Sequence, residues 1–243
     1  ACKAIEFLEL DDKEYECLVH FGVLTDTFDA EGNVLLHNNE VVITNEMIDS
    51  VIPNFLGDIE QLPPIYSALK KDGKPLYYYA RNNIDVIIDS RIVHIFSIER
   101  IGDVFKDKND YFCKIKVHCS KGTYIRSLVN DLGKALNSNA IVEELRRTRV
   151  GNFDLSNCNT LDDVKENKYF LRNTTESINY PKIQIEANTL LYKKIYNGMK
   201  LSVNDVCVEF KNINYICFIN GENIIAIYEK SDSYLKAKKV WNN

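Results

Sequence analysis

CSKGTYIRSLVNDLGKAL, residues 119–136, sets a tyrosine and an arginine two residues apart, just after a glycine, where a helical pattern begins. Ile125, Leu128, Val129, Leu132 and Leu136 recur at helical spacing, which predicts an amphipathic helix with one buried face. Tyr124 and Arg126 fall off that stripe, in the first turn, where unpaired backbone N–H groups and the positive end of the helix dipole collect. Such an end attracts anions, phosphate above all. Taken alone, the stretch reads first as an ordinary helix start with a surface arginine and a half-buried tyrosine.

Working outward, strands are expected near 84–88, 91–101 and 111–119 before that helix, and a second, basic helix near 139–148 after it. KEYECLVHFG (13–22) alternates Tyr15, Cys17, Val19 and Phe21 against Glu14, Glu16, Leu18 and His20, the period of a strand with one buried face. TDTFDAEGNV (25–34) reads as a loop. Thr44 is placed to cap a short helix carrying Met47, Ile48, Val51 and Ile52 that stops by Pro53. The double proline of QLPPIYSALKKDGK (61–74) forces an extended connection, and a short helix is expected around LYYYAR. The simplest architecture is α+β: a mixed, largely antiparallel sheet with packed helices. RNTTESINYP (172–181) is polar and closes on a proline, so residues 173–181 read as a linker between a domain of residues 1–172 and one of residues 182–243. The latter combines a helix in ANTLLYKKIYNG with strand-like runs near 206–210, 214–219, 224–229 and 234–241, a small β-rich domain.

The 243 residues are 45% apolar and 27% charged, an ordinary soluble composition. No apolar run approaches a membrane span, and no signal-peptide pattern is present. Seven cysteines (2, 17, 113, 119, 158, 207 and 217) form no CxxC pair, which argues against a disulfide scaffold or zinc ribbon and for a reducing cytoplasm. The four histidines lack metal-motif spacing, so no metal site is expected. Net charge is −5 but unevenly spread. Residues 1–60 carry 2 basic and 14 acidic side chains, whereas residues 114–149 carry 8 basic and 3 acidic ones. A basic face on an acidic protein is a candidate phosphate-binding surface; the alternative is two unrelated solvated faces.

Three stretches carry chemistry. QLPPIYSALKKDGKPLYYYAR (61–81) interleaves Lys70, Lys71, Lys74 and Arg81 with Tyr66, Tyr77, Tyr78 and Tyr79. Cations that meet a backbone beside rings that stack on bases suit exposed RNA nucleotides, and a tyrosine-rich element packed on the core suits the pattern equally. CSKGTYIRS is the second. AIVEELRRTRVGNF (140–153) is the third, with three arginines within four residues beside Leu145; by itself it reads as a solvated face.

In that order, the QxPPxYSAxKxxGxxxYxxAR, CSKGTYIR and LRRTxVGxF patterns resemble the bacterial tRNA pseudouridine-55 synthases, the TruB family. The resemblance includes KEYE (13–16) and TDTFDAEG (25–32), and extends more loosely to NGMKL (197–201) and the closing strands, similar to a PUA-type RNA-binding domain. It implies a pseudouridine synthase-like fold and the isomerisation of one uridine in the T-arm of tRNA, with no cofactor or metal. The base leaves C1′ and rejoins through C5 after the nucleotide has been flipped from the stack.

By resemblance, Tyr15 stacks on the flipped base and Tyr124 sits beside the reacting nucleotide to assist proton transfer. Arg126 pairs with the catalytic carboxylate, and Leu145 forms part of the apolar wall. Tyr66, Lys70, Lys74, Tyr77, Arg81, Lys121, Arg146 and Arg147 are expected to meet RNA. The partner implied is the tRNA T-arm stem-loop, with neither membrane nor obligate protein partner, and the expected state is a monomer. The family's aspartate lies in a G-x-x-D-x-x-A-x-G-V-L segment that would immediately precede Ala1. Asp26 and Asp29 are the nearest carboxylates but match a different family loop. The sequence is therefore expected to be part of a longer protein and, by itself, to bind better than it catalyses. The reading of another class is a non-catalytic tRNA-binding or tRNA-folding module.

Overall fold

Tyr15, Cys17, Val19 and Phe21 turn to the core and their alternating neighbours turn away, so Asp12–Phe21 is a strand, β1. The computed structural model describes residues 2–8, 10–206 and 213–241. They form two compact units, one of residues 10–158 and the other of the described residues on either side of it.

The first unit continues with β2 (Val23–Thr25), β3 (Val34–His37), α1 (Asn45–Val51), β4 (Gly57–Gln61), β5 (Lys70–Lys71), β6 (Lys74–Pro75) and α2 (Leu76–Arg81). Then come β7 (Arg91–Arg100), β8 (Phe105–Asp107), β9 (Asp110–Ser120), α3 (Ile125–Ala135), β10 (Ala140–Val150) and β11 (Phe153–Asp154). Seven strands form one sheet in the order β11-β10-β1-β9-β7-β4, with β8 added to β9. Its ladders are antiparallel. The stripe expected on α3 is buried throughout, from Val129 and Leu132 at 0% exposure to Leu136 at 8%. It packs with Cys17, Val19, Ile95, Val117 and Cys119 of the sheet and with Ile48 of α1. Each such side chain contributes about 1.5–3 kcal/mol of transfer free energy. The Thr44 hydroxyl caps α1 by accepting the Met47 N–H at 3.3 Å, and Pro53 turns its end into a 3₁₀ turn.

Two expectations for this unit are corrected, and one strand is unexpected. The basic run near 139–148 is not a helix but the strand β10, paired with β1 on one side and β11 on the other. Its β-branched Ile141, Val142, Thr148 and Val150 favour the pleated surface, and the ladder it makes covers what would otherwise be an open edge of β1. Residues 84–88 form no strand; Ile87 is 82% exposed and the run has no ladder partner. An unexpected edge strand, β4, instead pairs with β7, with Ile59 and Gln61 turned inward and Asp58 and Glu60 outward.

The second unit contains α4 (Leu161–Lys165), α5 (Thr174–Ser177), β12 (Lys182–Gln184), α6 (Leu190–Tyr196), β13 (Leu201–Ser202), β14 (Tyr215–Asn220), β15 (Asn223–Ser231) and β16 (Tyr234–Val240). Five strands pair in the order β12-β14-β15-β16-β13, with β12 parallel to β14. Ile195, Ile216, Phe218, Tyr228 and Leu235 make its core, and Ala4 and Phe7 pack beside Ile178, Cys217 and Ile227. Most of the run expected near 206–210 lies outside the described residues. The units part between Cys158 and Asn159, whereas the sequence reading ended the first domain at residue 172. Residues 173–181 are packed: Asn173 caps α5 through the Thr175 N–H at 2.9 Å, and Ile178 is fully buried. Thr175 and Ser177 donate to the Glu222 and Asn173 carbonyls, so these polar side chains serve local backbone bonds rather than a solvated tether.

Candidate functional site

Gly122, with φ of +85°, turns the chain from β9 into α3 in a conformation that favours glycine. Tyr124 follows as the N-cap residue of α3, extended at φ −101° and ψ 109°, and its side chain makes no capping bond. Its phenol ring lies under the Arg91 guanidinium, 5.7 Å from the ring centre. One turn of helix therefore delivers a ring that makes no capping bond and, two residues on, a cation.

Arg126 is held from two sides. Its NH1 donates to the Thr27 carbonyl and to Asp29 Oδ2, both at 3.0 Å, and its NH2 donates to the Tyr66 carbonyl at 2.8 Å. Asp29 is fixed in turn: its Oδ1 accepts the Thr27 hydroxyl at 2.6 Å and the Glu31 N–H at 3.2 Å. The loop bearing it is tied to β10, because Ala30 N–H donates to the Val142 carbonyl at 3.0 Å and Val142 N–H to the Phe28 carbonyl at 3.1 Å. Gly32 closes the loop where a Cβ would stand 2.6 Å from Asp26 Oδ1. The planar guanidinium thus joins the TDTFDAEG loop, the QLPPIYSA segment and α3 at one point.

Tyr15 is half-buried on the core face of β1, beside Arg147 of β10 in the ladder. Burial, with Cys119 nearby, pushes its phenol above the usual range, while a hydrogen bond and the charge of Arg147 pull against that rise. Leu145 stands opposite Cys17 and remains 45% exposed, an apolar side chain left open on a strand otherwise charged at Glu143, Glu144, Arg146 and Arg147.

The residues expected to meet RNA divide into groups. Lys70 joins Lys71, Arg91 and Asp89 around a cavity of about 310 Å³. Lys74 lies 4.3 Å from the centre of the Tyr78 ring and Arg81 5.6 Å from that of Tyr77, so rings and cations of the same stretch are paired with one another. Tyr66 is partly buried and enters through its carbonyl, to Arg126. Lys121 pairs with Asp11. Arg146 and Arg147 are exposed on β10, where Arg146 borders a shallow cavity with Glu16, Leu18, Lys114, Glu144 and Leu145. Among the described residues, no three His, Cys, Asp or Glu side chains gather as a metal site.

Two participants, Gln61 and Arg91, are not singled out by the sequence, and Asp29 is named there only as a nearby carboxylate, not as the partner of Arg126. Asp29 partners Arg126 from 97 residues away, Gln61 binds the Tyr124 backbone from 63 residues away, and Arg91 covers the Tyr124 ring. Gln61 opens the QxPP pattern, and an amide at a strand end before a proline pair was the available signal.

Residues 1–125 match the profile of the "TruB family pseudouridylate synthase (N terminal domain)", and residues 126–191 that of the "tRNA pseudouridylate synthase B C-terminal domain". The chain belongs to the TruB family. A protein named tRNA pseudouridine synthase B from Clostridium tetani (strain Massachusetts / E88) is 33% identical over 241 residues, covering 98% of this chain and 81% of the relative. Its namesake from Staphylococcus aureus (strain bovine RF122 / ET3-1) is 37% identical over 246 residues, covering 95% and 79%. Against the Azoarcus sp. (strain BH72) protein of the same name, identity is 43% over 172 residues, covering 71% of this chain and 55% of the relative. Among solved structures, the chain superposes on one from "Crystal Structure of a Cbf5-Nop10-Gar1 Complex" with a TM-score of 0.64 at 22% identity, covering 96% of this chain and 68% of that one. That likeness concerns the fold. Among the described residues, no helix of this TruB-family chain is long and apolar enough to cross a membrane.

Proposed function

We propose that this chain carries the RNA-binding and pocket residues of a tRNA pseudouridine synthase acting on the T-arm uridine at position 55. The observation that carries the reading is the convergence of three separated segments on Arg126, inside a chain of the TruB family. Extruding the nucleotide costs about a few kcal/mol, and a pocket that stacks the base repays it. Tyr15 supplies the stacking face and Leu145 part of the apolar wall. Tyr124 brings its hydroxyl beside the reacting nucleotide for proton transfer. Arg126 orients a carboxylate: its NH1 donates to Asp29 Oδ2, and it is assigned to the family's catalytic aspartate when that group is present.

Lys70, Lys74, Tyr77, Arg81, Lys121, Arg146 and Arg147 are assigned to the RNA backbone and exposed bases, which makes binding salt-dependent. The chain works as a monomer, without cofactor or protein partner. The test is tritium release from a T-arm RNA labelled at C5 of its uridines. Release above the no-enzyme background supports isomerisation. RNA bound without release supports the binding-module reading for these residues, and no binding refutes both.

A further inference from the structure

Gln61 is the last residue of β4 and only 1% exposed. Its amide makes a reciprocal pair with one backbone unit: Oε1 accepts the Tyr124 N–H at 2.8 Å, and Nε2 donates to the Tyr124 carbonyl at 3.1 Å. A side chain thereby imitates the two bonds that a neighbouring strand would make. Its targets are the peptide groups of Tyr124 itself, whose carbonyl also accepts the Leu128 N–H at 3.1 Å, and not the first-turn N–H groups that a capping side chain binds. Helices are usually capped by Ser, Thr, Asn or Asp, whose side chains bind the first backbone N–H groups. Here the N-cap side chain is a phenol that makes no such bond.

The same patch is reinforced on both flanks. Ser127 Oγ donates to the Leu62 carbonyl at 2.7 Å, and Arg126 NH2 donates to the Tyr66 carbonyl at 2.8 Å. Arg91, which lies over the Tyr124 ring, is the ladder partner of Gln61 across β4 and β7. Two facing residues of one strand pair therefore hold Tyr124, one by its backbone and one by its ring.

We propose that Gln61 is a positioning residue that fixes the Tyr124 backbone, so that the ring, with Arg91 over it, is presented to the extruded nucleotide. This rests on the reading of Tyr124 given above. Only a group that donates and accepts in one plane meets both bonds: a leucine meets neither, and an ionised glutamate only accepts. A glutamate there donates only when protonated, with burial favouring its neutral form and the Arg91 and Arg126 guanidiniums favouring its charged form, so it regains the donated bond as pH falls.

The test uses the chain with a T-arm RNA carrying 2-aminopurine beside the target uridine, whose fluorescence rises when the stack opens. Filter binding gives total affinity and thermal unfolding gives stability. Gln61→Leu is expected to keep RNA affinity while losing roughly 10- to 100-fold in the extrusion equilibrium, the scale of a misplaced contact group. Gln61→Glu is expected to resemble Gln61→Leu at neutral pH and to climb towards wild type as pH is lowered, a gain that neither wild type nor Gln61→Leu shows. Equal losses of affinity and extrusion in Gln61→Leu, or Gln61→Glu without an acid-side gain, overturn the role of Gln61. Should Gln61→Leu not fold, the acid-side behaviour of Gln61→Glu decides. Wild type that binds the RNA without opening the stack refutes the assigned role of Tyr124, and that of Gln61 with it. Wild type and Gln61→Leu that open it equally refute the role of Gln61 alone.

Discussion

Replacing Arg126 with alanine removes two hydrogen bonds to backbone carbonyls, those of Thr27 and Tyr66, and one ion pair, with Asp29. The bonds from a charged donor are worth about 1.5–3 kcal/mol each when well formed. The pair is 23% and 25% exposed on its two sides, so solvent screening reduces it towards the range of about 0.2–1 kcal/mol. Some of the freed carbonyls regain water in Arg126→Ala, which brings the net destabilisation to about 2–4 kcal/mol. At about 2–4 °C per kcal/mol for a domain of this size, the thermal midpoint should fall by roughly 4–16 °C.

Thermal unfolding of Arg126→Ala, Asp29→Ala and the double variant then isolates the pair, with an expected coupling of about 0.2–1 kcal/mol. Arg126→Lys should recover less than half of the loss, because a single ammonium cannot replace a fork whose two nitrogens serve acceptors in two different segments. A midpoint shift below about 2 °C for Arg126→Ala, or single-variant effects that simply add, would show that the three segments are held together by something other than this guanidinium.

Leu128, 1% exposed at the centre of the α3 stripe, should cost about 2–5 kcal/mol when cut to alanine, measured by urea unfolding; a loss under about 1 kcal/mol would mean that α3 is not what seals this core. Reversing charge at Arg146 and Arg147 should weaken T-arm RNA binding and make its salt dependence shallower, whereas an unchanged slope would place both residues away from phosphates. Burial works to raise the Asp12 carboxyl, but hydrogen bonds and charge from His118 and Arg149 outweigh it and hold the group below its usual value. Its contribution is therefore complete above the ordinary aspartate pKa of about 3.9 and drains away as pH falls through the lower native value. Asp12→Asn should lower stability at neutral pH and flatten the acid limb below about pH 4; parallel acid-unfolding curves for variant and wild type would refute that linkage.

What was legible in the sequence follows from how far apart the interacting groups lie. α3 and β1 declare themselves because their periods are local: five apolar positions at helical spacing, and four inward residues alternating with four outward ones. Tyr124 and Arg126 could be singled out for the same reason, since the glycine, the ring, the cation and the helix start are all within five residues. The arginines of β10 sit at spacings that also suit a helix face, and what makes it a strand is β1, whose ladder partners lie 119 to 137 residues earlier in the chain. The partners of the site are hidden in the same way. Asp29 lies in a loop that local composition can only label as a turn, and Gln61 is a polar residue next to prolines, ordinarily a sign of exposure. Both are explained only when the sheet places β4 and the TDTFDAEG loop against the first turn of α3. A chain can therefore announce the groups that do chemistry through short motifs, while the groups that aim them are set by long-range pairing. Here the partners are a carboxylate, an amide and a guanidinium, each set against a residue the motif had already marked.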